Sequence, residues 1–181
     1  MSYMDQTHAR IMKKSAFLRM HTTEHLETAE YVFHHMRAGS GRPVILVHGG
    51  GMWLYSFRRI MEPLSRFCCV HALDMPGYGY TIARHRSNAP GLETMIRALK
   101  GYLDVQGIRQ ASFVGHSWGG GWVSAFALAW PDMVDRIVLI DSSGLDVPDV
   151  FEWELLKIPV LGEIFLRILT PGMVQRRLRR S

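Results

Sequence analysis

The sequence predicts an α/β fold, in which a mostly parallel sheet carries helices on both faces. Continuous apolar runs such as PVILV at 43–47 are typical of strands that are buried on both faces. Amphipathic segments of helical period alternate with these runs, which indicates βαβ crossovers. The chain has 181 residues, 48% of them hydrophobic, which is enough for one domain with a core and too few for two ordinary domains.

The elements before residue 43 are the least regular. Residues 3–14 predict a weak helix, since this segment is polar and lacks a clear apolar stripe. Segments 16–21 and 29–36 predict strands that are joined by a polar turn. The run PVILV at 43–47 predicts the first buried strand, and a glycine-rich loop at 49–51 follows it.

Helices and strands alternate from there to Asp141. The predicted order is a helix around 55–65, a strand at 67–73, a helix around 90–104, a strand at 111–115, a helix around 119–129 and a strand at 136–141. Residues 150–180 predict short amphipathic helices, broken at Pro159 and Pro171, without a strand signal.

Charge and cysteine content exclude several classes of protein. The net charge is +5, but five arginines lie in the segment 167–181, and no stripe of basic and aromatic residues indicates nucleic-acid binding. No apolar stretch reaches 18 residues, so we expect no membrane span. Cys68 and Cys69 point to opposite faces of one strand and predict reduced thiols, which fits a cytoplasmic protein. Asp5 and His8 interrupt any signal peptide.

The strongest chemical motif is Gly-His-Ser-Trp-Gly at 115–119. It follows a predicted strand and opens a predicted helix, which is the context of a nucleophile elbow at Ser117. The serine of such a tight turn is strained, so the residues two before and two after it must be small. The helix behind it directs N-terminal amides, that of Trp118 among them, toward developing negative charge.

A second glycine motif, HGGG at 48–51, ends the strand PVILV. Its glycines leave backbone amides unobstructed, and we expect the amide of Gly50 to form an oxyanion hole with that of Trp118. His48 is interpreted as a residue that braces the loop rather than as a base. Trp53 and its neighbours either wall a substrate pocket or pack the first crossover helix, and His116 is a second candidate for substrate contact.

Together, HGGG, DMPGYGYT, GHSWGG and RIVLIDSSG occur in the order and spacing of the α/β-hydrolase superfamily, which residues 28–180 resemble. They look most like its single-domain esterases and its carbon–carbon bond hydrolases of ring-fission products. The resemblance implies a cofactor-independent and metal-free serine hydrolase with an eight-stranded sheet. It also implies a helical cap after the sixth strand. We therefore expect a core at 1–145 that holds the nucleophile, and a partial cap at 146–181.

The chain departs from this pattern after Ser117. All nine histidines precede Ser117, whereas the superfamily places its histidine base last, after an acid. Asp141 stands where some members place the acid, but an aspartate that caps or braces the loop fits equally. The seventh and eighth strands are also missing. The chain is therefore expected to be a truncated ester hydrolase that lacks its base, a carbon–carbon bond hydrolase, or a non-catalytic fragment or binding module.

Two further expectations concern a metal and a partner. The segment 21–25 has the H-x-x-E-H pattern of zinc enzymes, but it joins two predicted strands instead of lying on a helix, so we interpret it as chance. The strand at 136–141 has no seventh strand to cover its outer side. We therefore expect a homo-oligomer through the region 136–180 and a small-molecule ester as substrate.

Overall fold

A computed structural model describes residues 23–85 and 91–145 of the chain. The helix expected at 3–14, the strand at 16–21 and the cap helices at 150–180 lie outside the described residues. Within them, seven strands form one sheet. The strands are β1 (Thr23–Glu27), β2 (Tyr31–Ala38), β3 (Pro43–Val47), β4 (Cys69–Leu73), β5 (Ile82–Ala83), β6 (Ala111–His116) and β7 (Val134–Ile140).

The strand order β1-β2-β4-β3-β6-β7, with β5 paired to β2, gives a mixed sheet. Strands β4, β3, β6 and β7 are parallel, whereas β1, β2 and β5 pair in antiparallel fashion. The parallel part consists of the apolar runs identified in the sequence, and β4 is buried at all five positions. The predicted α/β fold with a mostly parallel sheet is confirmed.

Helices cover both faces of this sheet. Helices α2 (Leu92–Val105) and α3 (Trp118–Ala129) pack on the face that carries Ile45 and Phe113. The short helix α1 (Met61–Ser65) and a 3₁₀ turn at Leu54–Phe57 pack on the other face, against Leu46. Because side chains alternate along a strand, neighbouring residues of β3 contribute to two separate cores. Among the described residues, no helix is both long and apolar enough to cross a membrane.

Two local expectations were wrong, and one short strand was not predicted. The polar turn expected between the first two strands contains β1, which pairs with β2 over five residues and packs Leu26 against the core. The helix expected around 55–65 is a 3₁₀ turn followed by α1, with Arg58–Ile60 between them. The two-residue strand β5 was not predicted. A strand this short carries no periodicity, and its pairing with β2 depends on residues about 50 positions away.

A buried polar chain crosses the core between β2 and β4. The Tyr102 hydroxyl lies 2.9 Å from Nδ1 of His35 and 2.9 Å from Nδ1 of His71. The hydroxyl has one hydrogen and two ring nitrogens beside it, so Tyr102 donates to one ring and accepts from the other. Burial lowers the pKa of both His35 and His71 to about 4, which keeps both rings neutral at pH 7.

These two histidines predict that the fold loses stability in weak acid. Their folded pKa of about 4 lies below the value of 6.5 for a free histidine, so the unfolded chain binds protons that the folded chain refuses. The stabilisation is complete above pH 6.5 and falls by about 2–3 kcal/mol per histidine as the pH drops toward 4. Urea unfolding at pH 7.5 and at pH 4.5 measures this loss.

Two variants test the assignment of that pH dependence. The free energy of unfolding of His35→Gln should differ less between the two pH values than that of the unchanged chain, because the variant lacks one of the two imidazoles that bind a proton on unfolding. His85→Gln, at an exposed position, should keep the full difference. Equal pH dependence in the unchanged chain and in His35→Gln would contradict the prediction.

Candidate active site

Ser117 occupies a sharp turn between β6 and α3. Its backbone angles are φ 51° and ψ −122°, a conformation that a residue with a side chain rarely adopts. Its amide donates to the Ile140 carbonyl at 2.9 Å, and its carbonyl accepts from the Gly120 amide at 2.9 Å. The strand–turn–helix context expected from the motif at 115–119 is therefore present, with the strain at the serine itself.

Two glycines allow this turn because their neighbours leave no space for a side chain. A Cβ atom at Gly115 would lie 2.5 Å from Cα of Gly120. A Cβ atom at Gly119 would collide with the carbonyl oxygen of Val47 and lie 2.5 Å from that of His48. All of these obstacles are backbone atoms, which cannot rotate away. The glycine spacing therefore follows from the close packing of α3 against β6 and the end of β3.

The glycine loop after β3 lies directly against the elbow. A Cβ atom at Gly49 would stand 2.9 Å from Cβ of Ser117, and one at Gly50 would stand 2.5 Å from Cε3 of Trp118. Parallel pairing of β3 with β6 brings the carboxyl ends of both strands to one edge of the sheet. The amide of Trp118 is the first in α3, where the helix itself supplies no acceptor.

His48 is fully buried and braces this edge through both ring nitrogens. The Met75 amide donates to Nε2 at 3.0 Å, which requires that Nε2 carries no hydrogen. Nδ1 therefore carries the hydrogen and donates to the Gly49 carbonyl at 2.7 Å. Burial lowers the pKa of His48, which favours this neutral form. The arrangement agrees with the bracing role inferred from the sequence.

The segment after β7 also supports the elbow. The Ser117 carbonyl accepts a hydrogen bond from the Ser143 amide at 3.0 Å and from its hydroxyl at 3.3 Å. Ser142 is buried against Gly120, where any Cβ atom would collide with its hydroxyl. Asp141 stands at the end of β7, exposed and with a φ of 44°. It therefore lies on the same edge of the sheet as Ser117.

Asp74 is the carboxylate with the most hydrogen bonds near this edge, and its role was not predicted from the sequence. Asp74 is fully buried and accepts from the amides of Leu54 at 2.7 Å and Tyr80 at 2.9 Å. It also lies 2.7 Å from Nδ1 of His34. The one available signal was its position, an aspartate directly after a buried strand and before two glycines. Asp74 ties the loop that follows β4 to the loop that follows Gly51.

The two substrate-contact candidates have different surroundings. His116 is half-buried, and its Nδ1 lies 3.2 Å from the position that a Cβ atom would take at Gly49, so it borders the glycine loop. Trp53 stacks on Tyr55 with a centroid distance of 5.4 Å and meets Tyr80 edge-on at 5.6 Å. It also packs against the core cluster around Leu54. The structure thus places His116 at the elbow and Trp53 in an aromatic cluster beside the Asp74 loop.

The zinc-like segment at 21–25 is described from Thr23 onward. Its Glu24 and His25 lie on β1, opposite His35 and His34 of β2. Within 23–85 and 91–145, no group of three or more histidine, cysteine or carboxylate side chains is arranged to hold a metal ion.

Comparisons with known proteins give consistent matches. A family model described as alpha/beta hydrolase fold matches residues 42–163. The 2-hydroxy-6-oxo-2,4-heptadienoate hydrolase of Pseudomonas putida is 39% identical over 111 residues, which are 59% of this chain and 40% of that protein. Human epoxide hydrolase 4 is 35% identical over 130 residues, which are 70% of this chain and 35% of that protein.

Among solved structures, a meta-cleavage product hydrolase from Pseudomonas fluorescens is 33% identical with a TM-score of 0.65. That match covers 70% of this chain and 48% of the hydrolase. A putative epoxide hydrolase from Pseudomonas aeruginosa, at 23% identity and a TM-score of 0.75, shares the fold. That match covers 92% of this chain and 60% of the epoxide hydrolase. This chain spans less than half the length of the two curated relatives and of the hydrolase from Pseudomonas fluorescens.

Proposed function

This chain belongs to the alpha/beta hydrolase fold family, and we propose that it carries the nucleophile of a serine hydrolase that attacks carbonyl carbon. The strained elbow at Ser117, packed against the Gly49–Gly51 loop, is the observation that supports this most directly. The serine is strained, and backbone atoms leave no room for a side chain at the glycines on either side of it. This combination is typical of a site that presents a hydroxyl to substrate. We keep the proposal that neither a metal nor a cofactor takes part.

In this proposal Ser117 Oγ attacks the carbonyl carbon, and the amides of Gly50 and Trp118 stabilise the oxyanion that results. The partial positive charge at the N-terminus of α3 adds to this stabilisation. Asp141 would orient a histidine base, and its position on the same edge as Ser117 is compatible with that role. His116 and Trp53 would contact substrate, one beside the glycine loop and the other in the aromatic cluster.

The serine favours carbonyl substrates over epoxides. Attack of a serine oxygen on an epoxide carbon would form an ether, which water does not readily cleave. Attack on a carbonyl carbon forms an acyl-enzyme, whose ester bond water can hydrolyse. The epoxide hydrolases among the relatives therefore support the fold, whereas the nucleophile of this chain supports acyl transfer.

Two substrate classes fit an acyl-transfer site. Carboxylic esters are the class proposed from the sequence. Carbon–carbon bond hydrolysis is the second candidate, and it is favoured by the relatives from Pseudomonas putida and Pseudomonas fluorescens, whose names describe an oxo-dienoate and a meta-cleavage product. Both classes place a carbonyl carbon at Ser117 and differ in the leaving group, oxygen in one and carbon in the other.

The base is proposed to come from outside residues 1–181. No histidine follows Ser117 in this sequence. Among the described histidines, His48 uses both ring nitrogens for bracing, His34 contacts Asp74, and His71 contacts Tyr102.

A cytoplasmic location is part of the proposal, and the two free cysteines, Cys68 and Cys69, support a reducing compartment.

Acyl transfer to Ser117 tests the proposal without requiring the missing base in the chain. Purified chain is incubated with p-nitrophenyl acetate or with 2-hydroxy-6-oxo-2,4-heptadienoate, each with excess imidazole as an added base. Both reagents would leave the same acetyl group on Ser117, which intact-mass measurement and peptide mapping detect. We expect an adduct in the unchanged chain and none at this site in Ser117→Ala.

Ser124→Ala is the matched control, because its hydroxyl donates to the Gly120 carbonyl within α3 at 2.9 Å. This variant should acetylate at Ser117 like the unchanged chain. An adduct from the ester alone favours an esterase, and an adduct from both reagents favours carbon–carbon bond hydrolysis. Acetylation confined to lysines with both reagents would overturn the proposed nucleophile.

A further inference from the structure

A cavity lies at the opposite end of the parallel strands from Ser117. It has a volume of about 390 Å³ and opens between the first residues of β3 and β4 and the loop between α2 and β6. Its described lining includes Arg37, Cys69, His71, Gln106, Arg109 and Gln110. Two of these residues are arginines and none is a carboxylate. Arg37, Arg109 and Gln110 are exposed, so the cavity is open to solvent.

The sulfur of Cys69, which lines this cavity, contacts a guanidinium and an imidazole. Nε of Arg37 donates to Sγ at 3.2 Å, and Nε2 of His71 lies 3.4 Å from it. The hydrogen bond to Cys69 raises the pKa of Arg37, which keeps the guanidinium charged. A thiol between a guanidinium and a histidine is the arrangement that activates nucleophilic cysteines, and here it is part of the cavity lining.

The buried polar chain continues from this thiol across β4 and β2 toward Glu24 on β1. Burial raises the pKa of Tyr102, so its hydroxyl keeps its hydrogen. Beyond Tyr102, Nε2 of His35 lies 3.8 Å from the carboxylate of Glu24, which is exposed. A hydrogen on Nε2 of His35 faces that carboxylate favourably, whereas a bare nitrogen would not.

A hydrogen on Nε2 of His35 sets the direction of every hydrogen bond in the buried polar chain. With Nε2 of His35 protonated, its Nδ1 accepts from the Tyr102 hydroxyl. Nδ1 of His71 then donates to the Tyr102 oxygen, and Nε2 of His71 accepts from the thiol of Cys69. The thiol hydrogen therefore points at a free nitrogen, and each following hydrogen can shift by one position toward Glu24.

We propose that Cys69 is a nucleophilic thiol that takes small, negatively charged electrophiles from this cavity, with His71 as the acceptor of its proton. Arg37 and Arg109 attract the negative charge of the reagent, and Arg37 stabilises the sulfur as its proton leaves. The site is independent of Ser117, since it lies at the other end of the strands and uses different residues.

Iodoacetate is a small, negatively charged electrophile of the proposed kind. The sulfur attacks the methylene carbon of iodoacetate, an S–C bond forms, and the C–I bond breaks. Iodide leaves with the bonding electron pair, and the thiol proton passes to Nε2 of His71. The hydrogen on Nδ1 of His71 can then move to Tyr102 and onward toward Glu24, so no buried imidazolium has to persist.

Cys68 provides a matched control within the same molecule. It is the neighbouring residue and points to the other face, where it packs in the core cluster around Met36 and Val70. Its sulfur donates to the Leu64 carbonyl at 3.3 Å, and burial raises its pKa. Both thiols are largely buried, at 8% and 4% exposure for Cys68 and Cys69. A difference in reactivity therefore reports the surroundings of each sulfur rather than its exposure.

The experiment measures alkylation of both cysteines in the purified chain with iodoacetate and iodoacetamide, followed by peptide mass spectrometry. We expect Cys69 to react with iodoacetate about tenfold faster than Cys68, since Arg37 and Arg109 attract the charged reagent to Cys69 and Cys68 packs in an apolar core. The iodoacetate-to-iodoacetamide rate ratio at Cys69 should exceed that of free glutathione. Reaction of both cysteines only in urea, or a ratio no greater than that of glutathione, would overturn the proposal.

Two arginine variants test whether the charge of Arg37 causes the preference of Cys69 for iodoacetate. Arg37→Gln should lower the iodoacetate rate at Cys69 about tenfold and the iodoacetamide rate much less, because only the first reagent is charged. Arg66→Gln, which removes the same charge from the exposed position directly after α1, should leave both rates unchanged. Continued protection of Cys68 shows that each variant remains folded. Equal loss for both reagents in Arg37→Gln would contradict the role of its charge.

Discussion

The purified chain is expected to hydrolyse p-nitrophenyl acetate at less than about 0.001 per second, at least four orders of magnitude below an ordinary turnover of about 10 per second. A serine hydroxyl is a weak nucleophile until a base removes its proton. Nothing after Ser117 supplies an imidazole. The elbow and the adjacent amides would leave only the residual acceleration that oxyanion stabilisation gives in the absence of a working triad.

Added imidazole distinguishes a missing base from a collapsed site. It should raise the rate of the unchanged chain above that of the Ser117→Ala variant, because a mobile base can reach a serine that is otherwise in position. The spectrophotometric release of p-nitrophenolate measures both rates. Turnover near 10 per second without imidazole, abolished in Ser117→Ala, would show that a histidine of this chain already serves as base. His116→Gln would then be the first variant to measure, since His116 adjoins the nucleophile.

The elbow could be predicted because its requirements are local. Ser117 is strained within one turn. The glycines at 115 and 119 avoid the collisions with backbone atoms that a side chain would meet in any strand–turn–helix of this kind. The parallel strands could be predicted for a similar reason, since burial on both faces leaves a continuous apolar run such as PVILV. In both cases a short stretch of sequence contains the physical cause of the structure.

The supports of the site could not be predicted because their partners are distant in sequence. Asp74 lies 40 residues from His34 and 20 from Leu54, and only the folded chain brings them together. The polar chain joins Tyr102 to His35 across 67 positions. Strand β1 was missed because its alternation is weak and its pairing with β2 decides its conformation. Long-range hydrogen bonds of this kind leave no periodic pattern in the sequence.

Strand β7 carries apolar side chains that the described part of the chain covers only in part. Within residues 23–85 and 91–145 it pairs with β6 alone. Its residues Ile137, Val138, Leu139 and Ile140 are 36%, 53%, 38% and 39% exposed. A strand with an unpaired edge and exposed apolar side chains on both faces is a template for another chain. The homo-oligomer expected through the region 136–180 remains a proposal, and β7 is the described part of that region.

We expect the chain to self-associate at micromolar concentration and Val138→Lys to weaken that association about a hundredfold. A buried lysine at an apolar strand interface would cost about 2–3 kcal/mol in desolvation and lost apolar burial. Leu128→Lys is the matched control, since Leu128 on α3 is 87% exposed and does not belong to the sheet edge. Light scattering and sedimentation across a concentration series measure the dissociation constants. A monomer with cooperative unfolding at all concentrations would contradict the proposal, and equal weakening by both variants would place the interface away from β7.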